Sequence, residues 1–356
     1  MHIPDGYLSP QTCAVGFVLT APAWVVAAQR VRRTVKTRQV PTLAVLAAVC
    51  FLVMMFNIPV PDGTTAHAVG GVLVAILLGP WAAVIAVSVA LAFQALLFGD
   101  GGVLAFGANA LNMAVIAPFI GLWVYRLISG RSELTGARRV AAAAVAGYVG
   151  INAAALATAI ELGIQPDLFH NAAGAPLYSP YHLTQTIPAM ALAHLTVAGL
   201  AEAILTGAVV AYLQRANLPL LRVNHPDAPL PGDDTPRRRG LRPGVAAGIA
   251  VGVMALLTPL GLLAPGGAFG EDAPADLDLH GLGLSAIPAG LNSYNGFWRH
   301  TLFPDYGFTS GAHPTLAYIV SAVVGIAVVG LVIFGAAALL RRLTGRHDRE
   351  NTRAVS

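Results

Sequence analysis

Apolar residues fall in nine runs, each long enough to cross a bilayer or nearly so: approximately 11–28, 40–60, 66–79, 80–98, 103–125, 139–160, 187–214, 244–264 and 315–340. A helix needs about 20 apolar residues to cross a hydrocarbon core of about 30 Å. The pattern therefore predicts an all-α integral membrane protein. The third and fourth runs are nearly continuous, divided only by Gly79-Pro80. Proline ends or kinks a helix at the preceding residue, so a turn is expected there. The third span is then short, roughly 21 Å at 1.5 Å per residue, and His67 at its start is expected to lie recessed below the membrane surface.

Charge orients the spans. Segments 29–39, 126–139, 215–243 and 341–356 hold 20 of the 21 Lys and Arg residues, leaving only Arg299 elsewhere. Basic residues collect in cytoplasmic segments, which predicts nine spans with the N-terminus outside and the C-terminus inside. Fusing the third and fourth runs would move the arginines of 126–139 to the outer face. Glu271, Asp272, Asp276, Asp278 and Asp305 gather in one external loop, 265–314, which reads as a solvated loop on the acidic side. Composition agrees with a membrane protein: 56% of the 356 residues are hydrophobic and 11% charged, against about a quarter charged in soluble domains. Topology accounts for the net charge of +4 without invoking nucleic acid. Cys13 and Cys50 stand apart in apolar runs and read as packing residues, since a disulfide framework or thiolate site needs clustered cysteines.

Residues 215–243 are proline-rich, charged and without periodicity, which reads as a flexible cytoplasmic linker. It separates a seven-helix domain, 1–214, from a two-helix module, 244–356, that carries the external loop.

The chain opens Met-His-Ile-Pro-Asp-Gly-Tyr-Leu-Ser-Pro, unlike a secretory signal, which begins with positive charge and runs into an apolar core. Because His2 is bulky, Met1 is expected to be retained with a free amine. That amine and the His2 backbone nitrogen close a five-membered ring on a metal ion; the same backbone nitrogen and a His2 ring nitrogen close a six-membered one. Three nitrogens in a plane leave one equatorial position, which suits a square-planar Ni(II) or Cu(II). The His67 imidazole is the candidate for it. Taken alone, His2 is more often a mobile chain end and His67 an interfacial histidine; an external Met1-His2 paired with a recessed His67 favours the ligand reading. Asn109 and Asp5 are candidates to hold these ligands from behind, because a ligating imidazole needs its second nitrogen held; Asn109 and Asn112 could equally bond neighbouring helices. His194 and Glu202 share a face of the seventh span and read as a helix-packing pair or a contact with another subunit.

The motif Met1-His2-Ile3-Pro4-Asp5-Gly6 with Leu8-Ser9-Pro10, then Pro61-Asp62-Gly63-Thr64 leading to His67, and Gly107-Ala108-Asn109 with Asn112-Met113-Ala114, resembles the CbiM/NikM family over about residues 1–215. These are the substrate-binding S components of energy-coupling-factor transporters for cobalt and nickel. Residues 244–340 resemble the two-span N component, chiefly at Phe303-Pro304-Asp305-Tyr306-Gly307; the Pro-Asp-Gly-Leu-Glu motif of many such modules is absent. The resemblance implies uptake of Ni²⁺ or Co²⁺ across a prokaryotic cytoplasmic membrane, with no resident cofactor. It also implies a transmembrane T component and ATP-binding cassette ATPases as partners. The ligands it implies are the Met1 amine, the His2 amide and imidazole, and the His67 imidazole.

No catalytic role is expected. The chain lacks His-Glu-x-x-His and Gly-x-x-x-x-Gly-Lys, the signatures of a zinc protease and a P-loop ATPase. A proton-coupled secondary transporter is the main rival reading; it calls for paired carboxylates near the midplane, and only Glu202 is so placed. A metal sensor or storage protein would need a signalling domain or many sites.

Overall fold

A computed structural model describes residues 1–59, 65–229, 243–263 and 273–354. Its framework is α1 Pro10–Thr34, α2 Thr37–Met54, α3 Gly71–Leu78, α4 Pro80–Phe98, α5 Phe106–Ser129, α6 Ala137–Leu168, α7 Leu183–Ala216, α8 Gly244–Leu262 and α9, which begins at Pro314. The one pairing of strands among the described residues is antiparallel, β1 Ile58–Pro59 with β2 Thr65–Ala66.

Eight of these helices are long and apolar enough to cross a membrane, one fewer than the nine runs predict. The exception is α3, which starts only after Gly70, whose φ of 76° is left-handed and non-helical. Apolar sequence before Gly70 forms β2 and extended backbone instead, so the run length overstates the helix. At eight residues, α3 spans roughly 12 Å. All eight residues are buried, packed among α4, α5, α6 and α7.

Such a stub survives at membrane depth only if its end groups are satisfied. At its N-terminus the Glu202 carboxylate accepts from the backbone N–H of Val69 at 2.7 Å and of Gly70 at 2.9 Å. An anion is favourable at that end of the helix dipole. At its C-terminus Asn224 donates to the Ala75 carbonyl at 3.0 Å and the His225 ring to the Ile76 carbonyl at 3.0 Å. Those two residues follow the short helix Leu218–Arg222; the rest of the linker, 230–242, lies outside the described residues. The outward faces are apolar: Val18 on α1, Ile204 on α7 and Leu331 on α9 are about 70% exposed. Contiguous apolar surface of this kind is what a membrane covers.

The external loop adds to the sequence expectation. Between Ala273 and Tyr306 its acidic residues and most others are exposed, but a few apolar residues anchor it on the seven-helix domain. Leu277 and Leu291 are buried in one cluster with Ile3, Tyr7 and Leu8, while Asp276 and Asp278 point outward. Glu271 and Asp272 lie outside the described residues. The reason is partly in α4, whose last turn, Gln94–Phe98, is a π-turn. A π-turn shifts the helical ladder, and its carbonyls take partners from the loop. Trp298 donates its indole N–H to Leu96 at 2.8 Å, and the backbone N–H groups of Leu302 and Phe303 go to Leu97 at 2.8 and 3.0 Å. Counting acidic residues missed the apolar ones that alternate with them.

Candidate metal centre

The N-terminal segment is folded inward by local chemistry at its far end. Ser9 caps α1, its hydroxyl accepting from the Thr12 N–H at 3.1 Å, with Pro10 at the first helical position. Residues 1–8 therefore turn back from the helix start, and Met1, His2, Ile3, Tyr7 and Leu8 are all 3% exposed or less. Asn109 clamps both sides of one peptide position, accepting from the Ile3 N–H at 2.9 Å and donating to the Ile3 carbonyl at 3.0 Å. That carbonyl also accepts from Gly102 at 2.8 Å. Asp5 accepts from the N–H groups of Val103, Leu104 and Ala105 at 3.1, 2.8 and 3.3 Å, just ahead of α5. Burial pushes the Asp5 carboxyl above its ordinary value, and these three donors pull it back down.

Two glycines make the fit possible. A Cβ on Gly102 would sit 2.1 Å from the Asp5 carboxylate and 2.6 Å from the Asp5 nitrogen. Gly6 has φ 97°, and a Cβ there would lie 2.7 Å from the carbonyl of Leu291 in the external loop. The loop is thus laid directly over the N-terminal segment.

At the inner end the Met1 amine donates to His67 Nε2 at 3.1 Å. His67 Nδ1 lies 3.1 Å from the Ala68 carbonyl; a carbonyl only accepts, so Nδ1 carries the ring proton and Nε2 presents its lone pair. The His2 and His67 rings stack at 4.8 Å between centroids. Burial holds the His67 imidazole well below its ordinary pKa, and the nearby Met1 ammonium and His2 push it the same way. His67 is therefore neutral, as a ligand must be. His2 Nδ1 lies 3.1 Å from Asp100 Oδ1. The other Asp100 oxygen accepts from the Tyr306 hydroxyl at 2.5 Å, and Gln94 donates to that hydroxyl at 2.9 Å. Among the described residues no three His, Cys, Asp or Glu side chains are placed to hold a metal ion; the nitrogens gathered here are two imidazoles and main-chain groups of Met1 and His2.

The structure brings Met1, His2 and His67 together. It places Asn109 and Asp5 behind them, on backbone groups rather than on an imidazole. Asn112 bonds Thr158 and Glu161 of α6, joining helices. His194 and Glu202 do not pair: His194 Nδ1 donates to the Met190 carbonyl at 2.9 Å, and Glu202 holds the corner beside His67. That corrects the reading of the two as a helix-packing pair. Pro61 to Thr64 lie outside the described residues. Sequence reasoning missed Asp100 and Gly102, and also Gln165, which accepts from the Ser9 N–H at 3.0 Å. Asp100-Gly101-Gly102 between two apolar runs reads as an ordinary turn; its one signal is a carboxylate so near a membrane span.

Residues 2–220, which include all of these residues except Met1 and Tyr306, match the family model described as the cobalt uptake substrate-specific transmembrane region, CbiM. The chain belongs to the CbiM family. It is 48% identical to the fused nickel transport protein NikMN of Rhodobacter capsulatus, over 97% of this chain and 99% of that one. It is 47% identical to the probable fused nickel transport protein LarMN of Lactiplantibacillus plantarum, over 94% and 97% of the two chains. A crystal structure of a truncated transition metal transporter is 58% identical, with a TM-score of 0.57, and covers 60% of this chain and 98% of that one. Family membership and eight apolar helices make this a multi-pass membrane protein.

Proposed function

We propose that this chain is the metal-binding subunit of an ATP-driven energy-coupling-factor transporter that takes up Ni²⁺ or Co²⁺. In this reading the ion is held by the Met1 amine, the His2 amide nitrogen, His2 Nδ1 and His67 Nε2. The observation that carries it is the 3.1 Å between the Met1 amine and His67 Nε2. Nitrogen–metal bonds of about 2.0–2.1 Å set adjacent corners of a square plane about 2.9 Å apart. The two nitrogens thus already stand at nearly the spacing of neighbouring ligands, joined by a proton that a metal ion would replace. Only Nδ1 of His2 closes a six-membered ring with its own amide, so His67 falls opposite that amide.

A planar set of four nitrogens suits Ni(II), and the two fused relatives above are named for nickel. The chain has no phosphate-binding Gly-x-x-x-x-Gly-Lys, and in this reading the energy comes from partner subunits: ATP-binding cassette ATPases acting through a transmembrane T component. The N-terminus and the site then face outward across the cytoplasmic membrane, which the positive-inside pattern supports.

Titrating Ni²⁺ into the purified full chain, followed by visible absorption and calorimetry, tests the ligand set. The wild type is expected to show a planar-nitrogen band. His67→Ala should bind more weakly with a shifted band, because water replaces the fourth nitrogen. A His67→Ala variant equal to wild type in affinity and spectrum would remove His67 from the site.

A further inference from the structure

Metal ligands account for the nitrogens of this site but not for its charge. A dication held by a neutral amine, one deprotonated amide and two neutral imidazoles carries a net charge of +1. Before the ion enters, the Met1 ammonium carries +1 in the same place. Both states are buried, with Met1, His2 and His67 each 3% exposed or less. A buried charge must be paired or its desolvation cost falls on the state that carries it. Asp5 is taken up by three backbone N–H groups of the loop before α5. Glu202 faces two more at the start of α3.

Asp100 differs from both. One of its oxygens lies 3.1 Å from His2 Nδ1, the atom the six-membered ring requires. Burial raises its carboxyl above the ordinary value, while the Tyr306 hydrogen bond and the Met1 ammonium act the other way. Its second oxygen is held by the Tyr306 hydroxyl, itself fixed by Gln94 and by the 3.0 Å hydrogen bond from Ser321 of α9 to the Tyr306 carbonyl. Tyr306 is 4% exposed and belongs to the C-terminal module. The carboxylate is therefore held through one oxygen by Tyr306, with the other beside the chelating ring.

Building on the ligand set proposed above, we infer that Asp100 is the counter-charge of the metal site and that Tyr306, from the C-terminal module, is the positioning residue that keeps it there. One carboxylate matches the metal-free and the loaded site equally, because each carries a single positive charge. It discriminates as well. A dication that cannot displace the amide proton leaves +2 beside one carboxylate, so the device favours the ions that do deprotonate the amide. It also gives the fused C-terminal module a part in the metal site, through a side chain that touches no metal.

The test is Ni²⁺ binding to the full-length protein carrying Asp100→Asn, Asp100→Glu or Tyr306→Phe, read by calorimetry and visible absorption. Asp100→Asn keeps the shape and removes the charge. It should weaken binding about 10–100-fold, the range seen when groups behind metal ligands are removed, with the absorption band unmoved because the four nitrogens are intact. Asp100→Glu should restore most of the affinity. Tyr306→Phe should weaken binding less than Asp100→Asn, again without moving the band, and it carries the test if Asp100→Asn does not fold. Wild-type affinity in both Asp100→Asn and Tyr306→Phe would overturn the inference. So would a moved band in Asp100→Asn, which would make Asp100 a ligand. Failure of the ligand set itself is distinguishable, since it appears as an unchanged band in His67→Ala whatever Asp100 does.

Discussion

The Glu202 carboxylate accepts from the Gly70 N–H at 2.9 Å across 132 residues of sequence, and so fixes the corner from which His67 projects. Glu202→Ala would leave the Val69 and Gly70 N–H groups buried without this acceptor. Each such group costs about 1–3 kcal/mol. The thermal midpoint of the detergent-solubilised protein should fall and Ni²⁺ binding should weaken with it. Glu202→Gln, which keeps an accepting oxygen, should lose less of both. Equal losses in the two variants would show that the carboxylate acts by something other than capping α3.

The clearance at Gly102 makes a second prediction. An alanine there puts a methyl group 2.6 Å from the Asp5 backbone nitrogen, a contact that side-chain movement cannot relieve. Overpacking of this kind costs about 1–3 kcal/mol. Because the strain falls on the N-terminal segment, Gly102→Ala should make that segment susceptible to protease and weaken metal binding while the helical circular dichroism stays unchanged. Protection equal to wild type would mean the loop 99–105 yields freely.

Burial makes His67 a source of pH dependence in the metal-free protein. Its imidazole is held well below the ordinary value in the folded state, whereas in the unfolded chain it titrates near 6.5. Below about pH 6.5 the unfolded state takes up a proton that the folded state refuses, so stability falls as pH drops from there toward the folded value; above 6.5 this contribution is complete. The thermal midpoint of wild type minus His67→Ala should therefore decline between pH 6.5 and 5. A second consequence concerns binding. His67 is already neutral at pH 7, so it gives up no proton to the metal. Calorimetry in buffers of different ionisation enthalpy should count the same protons released in wild type and His67→Ala. A lower count in the variant would show that His67 is protonated before the ion arrives.

One residue added ahead of Met1 converts the amine to an amide and displaces it from His67 Nε2. Tight Ni²⁺ binding should be lost while the protein elutes normally on gel filtration. Unchanged affinity in the extended protein would refute the chelate.

Energy coupling is tested separately. Proteoliposomes holding this chain alone should show no ATP-dependent Ni²⁺ accumulation. Accumulation driven by a proton gradient would put the secondary-transporter reading in its place.

What the sequence determined by itself is what depends on near neighbours. Bilayer thickness sets how many consecutive apolar residues a span needs, so eight of the nine runs became helices long and apolar enough to cross a membrane. Ser9-Pro10 carries the start of α1 in its own chemistry. The nearness of the Met1 amine to the His2 backbone nitrogen follows from a single residue, and the end of the third helix from Gly79-Pro80. The tertiary structure decided what depends on residues far apart in the chain. The first turn of α3 begins at Gly71 because Glu202 caps it from another helix, and no periodicity in residues 66–79 records that. Asp100 reads as part of a turn until the inward-folded N-terminus brings His2 beside it. The acidic loop reads as solvated until Leu291 and Tyr306 are seen to bury against the N-terminal segment and α4. Hydrogen bonds and burial between distant segments leave no spacing in a sequence, because the helices that close the distance are themselves set by local rules that do not mention it.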